Sequence, residues 1–288
     1  MKLIIPTHNR SKTLSTPYLE VFKNYDVVLL VHDSTQFEKY KKLHNFEIII
    51  TELNLGKNGQ IEYALNNLVE HDEWVFFADD NIEYIYGLDD KHYVHDIYTK
   101  KDNKHWGKIS SKQFDERVID LTKKAENLDA HLIGFLTTDN WFFANKKYKT
   151  YGFCHGKLTL WRKDNSFLFD NIYMKSLNDF HNTARHLVHY GVVLINDYMH
   201  PKAKYFQAGG IGSKQDRKLD RKKNITILKV LYPSLIVNKP RPDNYPDVRI
   251  VNFSRKNFML WRKKYKYYTD NYQYSLNKNR WIKKWSKN

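Results

Sequence analysis

Trp74-Val75-Phe76-Phe77-Ala78-Asp79-Asp80-Asn81 decides the fold, since five apolar residues stop abruptly at two carboxylates and an amide. An apolar run without polar alternation is the mark of a strand covered on both faces, as in a parallel sheet. Three earlier runs repeat the pattern, at 3–6, 26–31 and 47–51. Polar-faced segments of crossover length separate them, at 11–23, 35–43 and 60–69. The last carries Ile61, Ala64, Leu65 and Leu68 at helical spacing. The order βαβαβαβ predicts an open α/β sheet, and such sheets bind ligands beyond the carboxyl ends of their strands.

Those ends are polar throughout: Thr7-His8-Asn9-Arg10, His32-Asp33-Ser34, Asn54-Leu55-Gly56-Lys57-Asn58-Gly59 and Asp79-Asp80-Asn81. Asp79, Asp80 and Asn81 are hard oxygen ligands placed where a Mg2+ or Mn2+ ion could sit, taking its other ligands from substrate phosphate and water. The plain alternative is an acidic turn that caps the next segment. Gly56-Lys57-Asn58-Gly59 ahead of a helix reads as a phosphate- or nucleoside-cradling turn, or as an ordinary turn. It lacks the spacing and the Lys-Ser/Thr pair of a P-loop.

Composition sets the bounds. With 41% hydrophobic residues among 288, the chain can bury a sizeable core, which excludes wholesale disorder. Lys and Arg number 48 against 32 Asp and Glu, a net charge of +16 suited to a polyanion or an acidic surface. Cys154 is the only cysteine, so an internal disulfide and a cysteine-cluster zinc site are both excluded. The opening apolar stretch is too short for a signal peptide, and the longest apolar runs, 27–31 and 191–195, are strand-sized. A cytoplasmic protein without a transmembrane segment is expected.

The first eighty-odd residues resemble the GT-A nucleotide-sugar glycosyltransferases. Leu3-Ile4-Ile5-Pro6-Thr7-His8-Asn9-Arg10 is similar to their uridine-binding opening, the Gly56-to-Gly59 turn to a second nucleoside loop, and Asp79-Asp80-Asn81 to their metal-binding Asp-x-Asp motif. The resemblance implies that Pro6, Thr7, Arg10, Asp33, Gly56, Lys57, Asn58 and Asp79 line a nucleotide-sugar pocket. It implies that Asp79, Asp80 and Asn81 hold Mn2+ or Mg2+, with Asp80 serving the chemistry through the ion and His200 a possible extra ligand. The final Asn departs from the family's acid. Leu177-Asn178-Asp179-Phe180 resembles the acceptor-side acidic motif, which would make Asp179 the catalytic base. Read from the sequence alone, Asp179 is equally a helix-capping acid and His200 a packing histidine.

Beyond the first sheet, residues 86–130 read as a polar insertion with a helix over 114–128. Strands follow at 131–136, 157–162 and 192–195, with helices at 177–189 and 225–231. We read residues 1–252 as one GT-A-like domain, nucleotide-binding to about 130 and acceptor-binding after it, with 253–288 a basic aromatic helical extension. Gln207-Ala208-Gly209-Gly210-Ile211-Gly212-Ser213 concentrates glycine in a glycine-poor chain, and six cations with two acids follow over 214–223. This region, 205–250, is similar to the TET/JBP-associated glycosyltransferases linked to sugar transfer onto hydroxymethylated pyrimidines in phage DNA. That likeness adds Gly210 to the donor pocket and places the chain in the cytoplasm of an infected host.

From Arg255 onward the chain holds eleven Lys/Arg against Asp270 alone, with Trp261, Trp281, Trp285 and five Tyr interleaved. Clustered cations with stacking rings suit DNA phosphates and exposed bases. The same tail could press on anionic lipid, or its Trp residues could pack between helices. Rival readings are a GT-A transferase acting on a glycan or protein at a membrane surface, a non-catalytic nucleic-acid-binding protein, and a nucleotidyltransferase.

Overall fold

A computed structural model describes the backbone of residues 1–283 apart from 13, 15, 52–55, 98–102, 137, 139, 168–173, 175, 205–213 and 276–279. Among the described residues fourteen strands run in chain order: β1 Lys2–Pro6, β2 Asp26–Val31, β3 Glu47–Ile50, β4 Trp74–Ala78, β5 Ile82–Leu88, β6 Trp106–Lys108, β7 Leu132–Phe135, β8 Leu158–Arg162, β9 Leu194–Asn196, β10 Met199–Ala203, β11 Ile236–Asn238, β12 Val248–Ile250, β13 Tyr272–Ser275 and β14 Arg280–Lys283. The α-helices are α1 Ser34–Lys41, α2 Gly56–Asn67, α3 Asp90–Val94, α4 Ser111–Glu126, α5 Asn178–Tyr190, α6 Lys214–Leu231 and α7 Arg255–Asn271.

The central sheet has seven strands in the order β3-β2-β1-β4-β8-β7-β9. Its first four are parallel, β8 runs against both neighbours, and β9 is parallel to β7. The expected open, mostly parallel α/β sheet is therefore present, with β8 inserted between β4 and β7. Strand periodicity divides its side chains between two cores. Ile4, Val28, Leu30, Val75 and Phe77 face one side, covered by Ile61 and Leu65 of α2, Ala184 and Leu187 of α5, Leu228 of α6 and Phe258 of α7. Leu3, Ile5, Leu29, Val31 and Phe76 face the other, beneath Phe22, Tyr40 of α1, and Phe114, Val118 and Leu121 of α4.

Two features depart from expectation. The stretch taken as polar insertion begins inside β5, which forms a second sheet, β10-β5-β6. After α7 the extension turns into the β13–β14 hairpin rather than continuing as helix. Among the described residues no helix is long and apolar enough to cross a membrane.

Candidate functional site

β1 lies between β2 and β4, so the chain reverses its direction of crossover there, and the carboxyl ends of β1 and β4 open onto one crevice. Thr7 extends β1 by one ladder bond, its N–H donating to the Leu30 carbonyl at 3.0 Å. Asn9 then takes a left-handed conformation (φ 54°), which asparagine tolerates, and turns Arg10 back toward β4. There the Arg10 guanidinium pairs with Asp80 Oδ1, while Thr7 Oγ1 donates to Asp80 Oδ2 at 2.8 Å. Thr7 has one hydroxyl hydrogen and gives it to Asp80, so the Tyr40 hydroxyl, 2.5 Å away, donates to Thr7 and accepts from the Arg10 N–H at 3.0 Å. Asp80 is 7% exposed. Burial raises its carboxyl above the ordinary range, opposed by the Arg10 charge and the Thr7 hydrogen bond.

Asp79 points another way. Its Oδ1 lies 2.5 Å from Lys57 Nζ, which also donates to the Gly156 carbonyl at 2.5 Å. Lys57 stands on the first turn of α2, behind Gly56 at φ +63°. Asn58 is buried and accepts from Asn182 Nδ2 of α5 at 3.1 Å. Gly156 closes the gap between the helices, since a Cβ there would lie 3.2 Å from Asp179 Cβ and 3.6 Å from Lys57 Nζ. A cavity of about 20 Å³ lies among Lys57, Gly156, Asp179 and Asn182. Asp179 also does what a first-turn acid does, its Oδ1 accepting from the Phe180 N–H at 3.0 Å. His155 Nδ1 accepts from the Lys157 N–H at 3.2 Å, so its proton sits on Nε2. Burial lowers the pKa of His155, against the raising influence of Asp179 and Asp79, which keeps the ring neutral.

The structure thus brings Thr7, Arg10, Lys57, Asn58, Asp79, Asp80 and Asp179 to one edge of the sheet. It does not bring His200. His200 pairs in register with Tyr86, four residues beyond Ile82 and roughly 13 Å along the strand, and its Nδ1 meets the Leu136 carbonyl at 2.9 Å. Asn81 turns away too, its amide donating to the Lys204 carbonyl at 2.7 Å. Asp33 caps α1, accepting from the Gln36 N–H at 2.8 Å, and those Gln36 hydrogen bonds lower its pKa. Pro6 is the last residue of β1, paired with Leu30. Gly210 and the 207–213 cluster lie outside the described residues.

For Mn2+ or Mg2+ the donor set is hard oxygen but narrow. Both Asp80 oxygens are engaged, and Asn81 Oδ1 is buried without a hydrogen-bond partner. Asp79 is the more accessible of the two carboxylates, its side chain 34% exposed and its Oδ1 paired with Lys57. That fits an ion carried in on substrate phosphates with Asp79 as its carboxylate ligand, and does not fit a preformed cage of Asp79, Asp80, Asn81 and His200.

Tyr40, His155, Gly156 and Asn182 complete the site without having stood out in the sequence. A larger cavity, about 300 Å³, lies at the opposite sheet edge beside Arg162, the register partner of Trp74, and holds none of these groups.

In the basic segments, Lys218, Lys222 and Lys223 of α6 are exposed, whereas Arg221 is paired with Asp247. Phe258 and Tyr265 of α7 are core residues, and Trp261 Nε1 donates to the Pro233 carbonyl at 2.8 Å. Trp261 therefore packs. The side chain of Trp281 and all of Trp285 lie outside the described residues.

No protein-family model matches the chain, and no curated protein matches it. Among solved structures it is similar to CMP:2-keto-3-deoxy-manno-octonic acid synthetase complexed with CTP, at 11% identity and a TM-score of 0.39, over 77% of this chain and 98% of that one.

Proposed function

We propose that this chain is a glycosyltransferase that moves a sugar from a nucleotide donor, a UDP-sugar, to an acceptor hydroxyl. The observation that carries the reading is the meeting of Lys57, Asp79 and Asp179 around Gly156, at the carboxyl end of β4 where β8 begins. Transfer breaks a sugar–phosphate bond and leaves charge on a diphosphate. The amino end of α2 and the Lys57 ammonium face that charge. The acceptor oxygen attacks the anomeric carbon, and its proton passes to Asp179. Arg10, Thr7 and Tyr40 hold Asp80 fixed and thereby set the floor of the nucleotide pocket. A Mg2+ or Mn2+ ion arriving with the donor would rest on Asp79 and supply further counter-charge.

As acceptor we propose a hydroxymethylated pyrimidine in DNA. Support comes from the exposed lysines of α6 and from Arg255, Lys256, Lys263 and Lys264 along the outer face of α7. A second reading, an acceptor at an anionic membrane surface, is favoured by Met259 and Leu260, which are 47% and 60% exposed on that same face.

Incubation with a UDP-sugar panel and hydroxymethyl-containing DNA, read by nucleoside mass spectrometry, tests both levels. A glycosylated nucleoside, absent with Asp179→Asn, supports the whole reading. Equal transfer to unmodified DNA rejects the acceptor. No donor turnover with DNA, with anionic vesicles or with water rejects the transferase.

A further inference from the structure

A second cluster lies away from the sheet edge. β5 and β6 end at the pair Leu88–Trp106, so the next residue on one strand, Asp89, meets the one before the other, His105. The Asp89 N–H donates to the His105 carbonyl at 2.7 Å, which fixes the two backbones together. Asp89 also caps α3, its Oδ1 accepting from the His92 N–H at 2.9 Å, and this turns His92 back over the carboxylate. His92 Nδ1 lies 2.6 Å from Asp89 Oδ1, and His105 Nδ1 lies 2.9 Å from Asp89 Oδ2. The imidazole centroids are 3.8 Å apart with planes 32° from parallel.

We propose that Asp89, His92 and His105 form a divalent transition-metal site, with zinc as its ion. One ligand atom from each residue lies within 4.8 Å of the others, and among the described residues these three alone meet that condition. Tetrahedral zinc with bonds of about 2.0–2.1 Å holds its ligand atoms roughly 3.3 Å apart, so His92 and the carboxylate, now 2.6 Å apart, need to open by about 0.7 Å, a change within reach of side-chain rotation. Two imidazole nitrogens with one carboxylate oxygen suit zinc in preference to magnesium or calcium. Each ring now turns Nδ1 to the carboxylate, and binding the ion there moves the single ring proton from Nδ1 to Nε2, which frees the Nδ1 lone pair for the metal.

The site joins residues sixteen apart, pinning α3 to the β5–β6 ladder and closing the chain between them. A fourth position remains for water, as in zinc sites with three protein ligands. This role is independent of sugar transfer.

The test uses the full-length protein, dialysed against zinc and measured for bound metal, with cobalt(II) as a spectroscopic substitute. The expected result is one equivalent of zinc, visible d–d bands of tetrahedral cobalt, and a melting temperature that zinc raises. His92→Gln and His105→Gln should each weaken binding at least tenfold and lose the cobalt bands. Asp89→Asn keeps a residue that can cap α3 and loses the anionic ligand, so it should fold and still bind more weakly. Wild-type protein that takes up no zinc overturns the proposal, as does an equivalent that all three variants retain with unchanged affinity. In either case the cluster is a carboxylate hydrogen-bonded to two imidazoles.

Discussion

Lys57 Nζ sits 2.5 Å from Asp79 Oδ1, joining the first turn of α2 to the residue that follows β4, twenty-two positions further along the chain. Neither side chain is deeply buried, at 21% and 34% exposed, so the pair adds little to stability and is free to rearrange when a ligand arrives. A diphosphate approaching α2 competes with Asp79 for this ammonium. Replacing Lys57 by Met keeps the length of the side chain and removes its charge. Lys57→Met is expected to lower donor turnover by about 10²–10³-fold, the range for losing one preorganised charge donor. Its unfolding midpoint should stay near that of the parent. Steady-state hydrolysis of a UDP-sugar, run beside a urea melt, checks both halves.

Arg10 and Asp80 are the opposite case, with side chains 14% and 9% exposed. Removing the cation leaves a buried carboxylate whose partners are Thr7 alone, a loss on the order of 3–5 kcal/mol. The direction with pH follows from Asp80. Its folded pKa is raised, chiefly by burial, so the protonated acid is what the fold prefers and the cost of ionisation appears as pH rises through that value. Arg10→Ala should therefore be most destabilised at pH 8 and approach the parent in acid, where Asp80 carries its proton. Adding Asp80→Asn to Arg10→Ala should restore much of the loss at pH 8. Urea unfolding at several pH values decides it, and a deficit independent of pH would contradict the account.

His186 contributes a dependence of the other sign. It is 1% exposed, its Nδ1–H donates to the Asn182 carbonyl at 2.8 Å, and Trp161 and Phe167 pack on its ring. Burial pushes its pKa down to about 3. Its folded pKa lies below the unfolded value near 6.5, so the stability it contributes is complete above about pH 6.5 and drains away as pH falls toward 3. His186→Leu should flatten the acid limb of the stability curve by a few kcal/mol at its lower end, seen by subtracting its urea-derived free energies from those of the parent.

Much of the sheet is legible because β2 and β4 are unbroken apolar runs, and their ends, Asp26–Val31 and Trp74–Ala78, fall where the apolar pattern stops. β5 is harder to read. Ile82-Glu83-Tyr84-Ile85-Tyr86-Gly87-Leu88 mixes buried and half-buried positions without clean alternation, since its Tyr residues lie against Lys108 and Lys202 at the sheet surface. The antiparallel insertion of β8 is set by long-range pairing and leaves no local trace. The acids and cations of the site stand out as strand-end polar residues, but which cation meets which acid depends on register across seventy positions for Arg10 and Asp80. Tyr40 looks like any core aromatic on a short helix, and Gly156 is a lone glycine in a turn. Trp261 is a ring for which the sequence leaves base stacking and packing both open, and its indole N–H is given to the Pro233 carbonyl.

Gly156 yields the sharpest separation of structure from chemistry. Its backbone is not in the left-handed region, so alanine there faces no left-handed strain, and restricting the unfolded chain contributes about 0.4–1 kcal/mol against the cost of any new contact. The added methyl, however, comes 3.2 Å from Asp179 Cβ and 3.6 Å from Lys57 Nζ. The first distance is tighter than ordinary van der Waals contact, so Asp179 must move by a few tenths of an ångström. Displacing a proton acceptor by that much costs about tenfold in turnover, since a shift of 1 Å costs on the order of 10²-fold. Gly156→Ala should therefore melt within a few degrees of the parent, the unfolded-chain gain and the close contact offsetting one another, while kcat falls about tenfold. The loss should grow no further in Gly156→Ala/Asp179→Asn than in Asp179→Asn alone, because the methyl acts through that carboxylate. A double variant slower than Asp179→Asn by another factor of ten would instead place the damage at Lys57, the other group the methyl approaches.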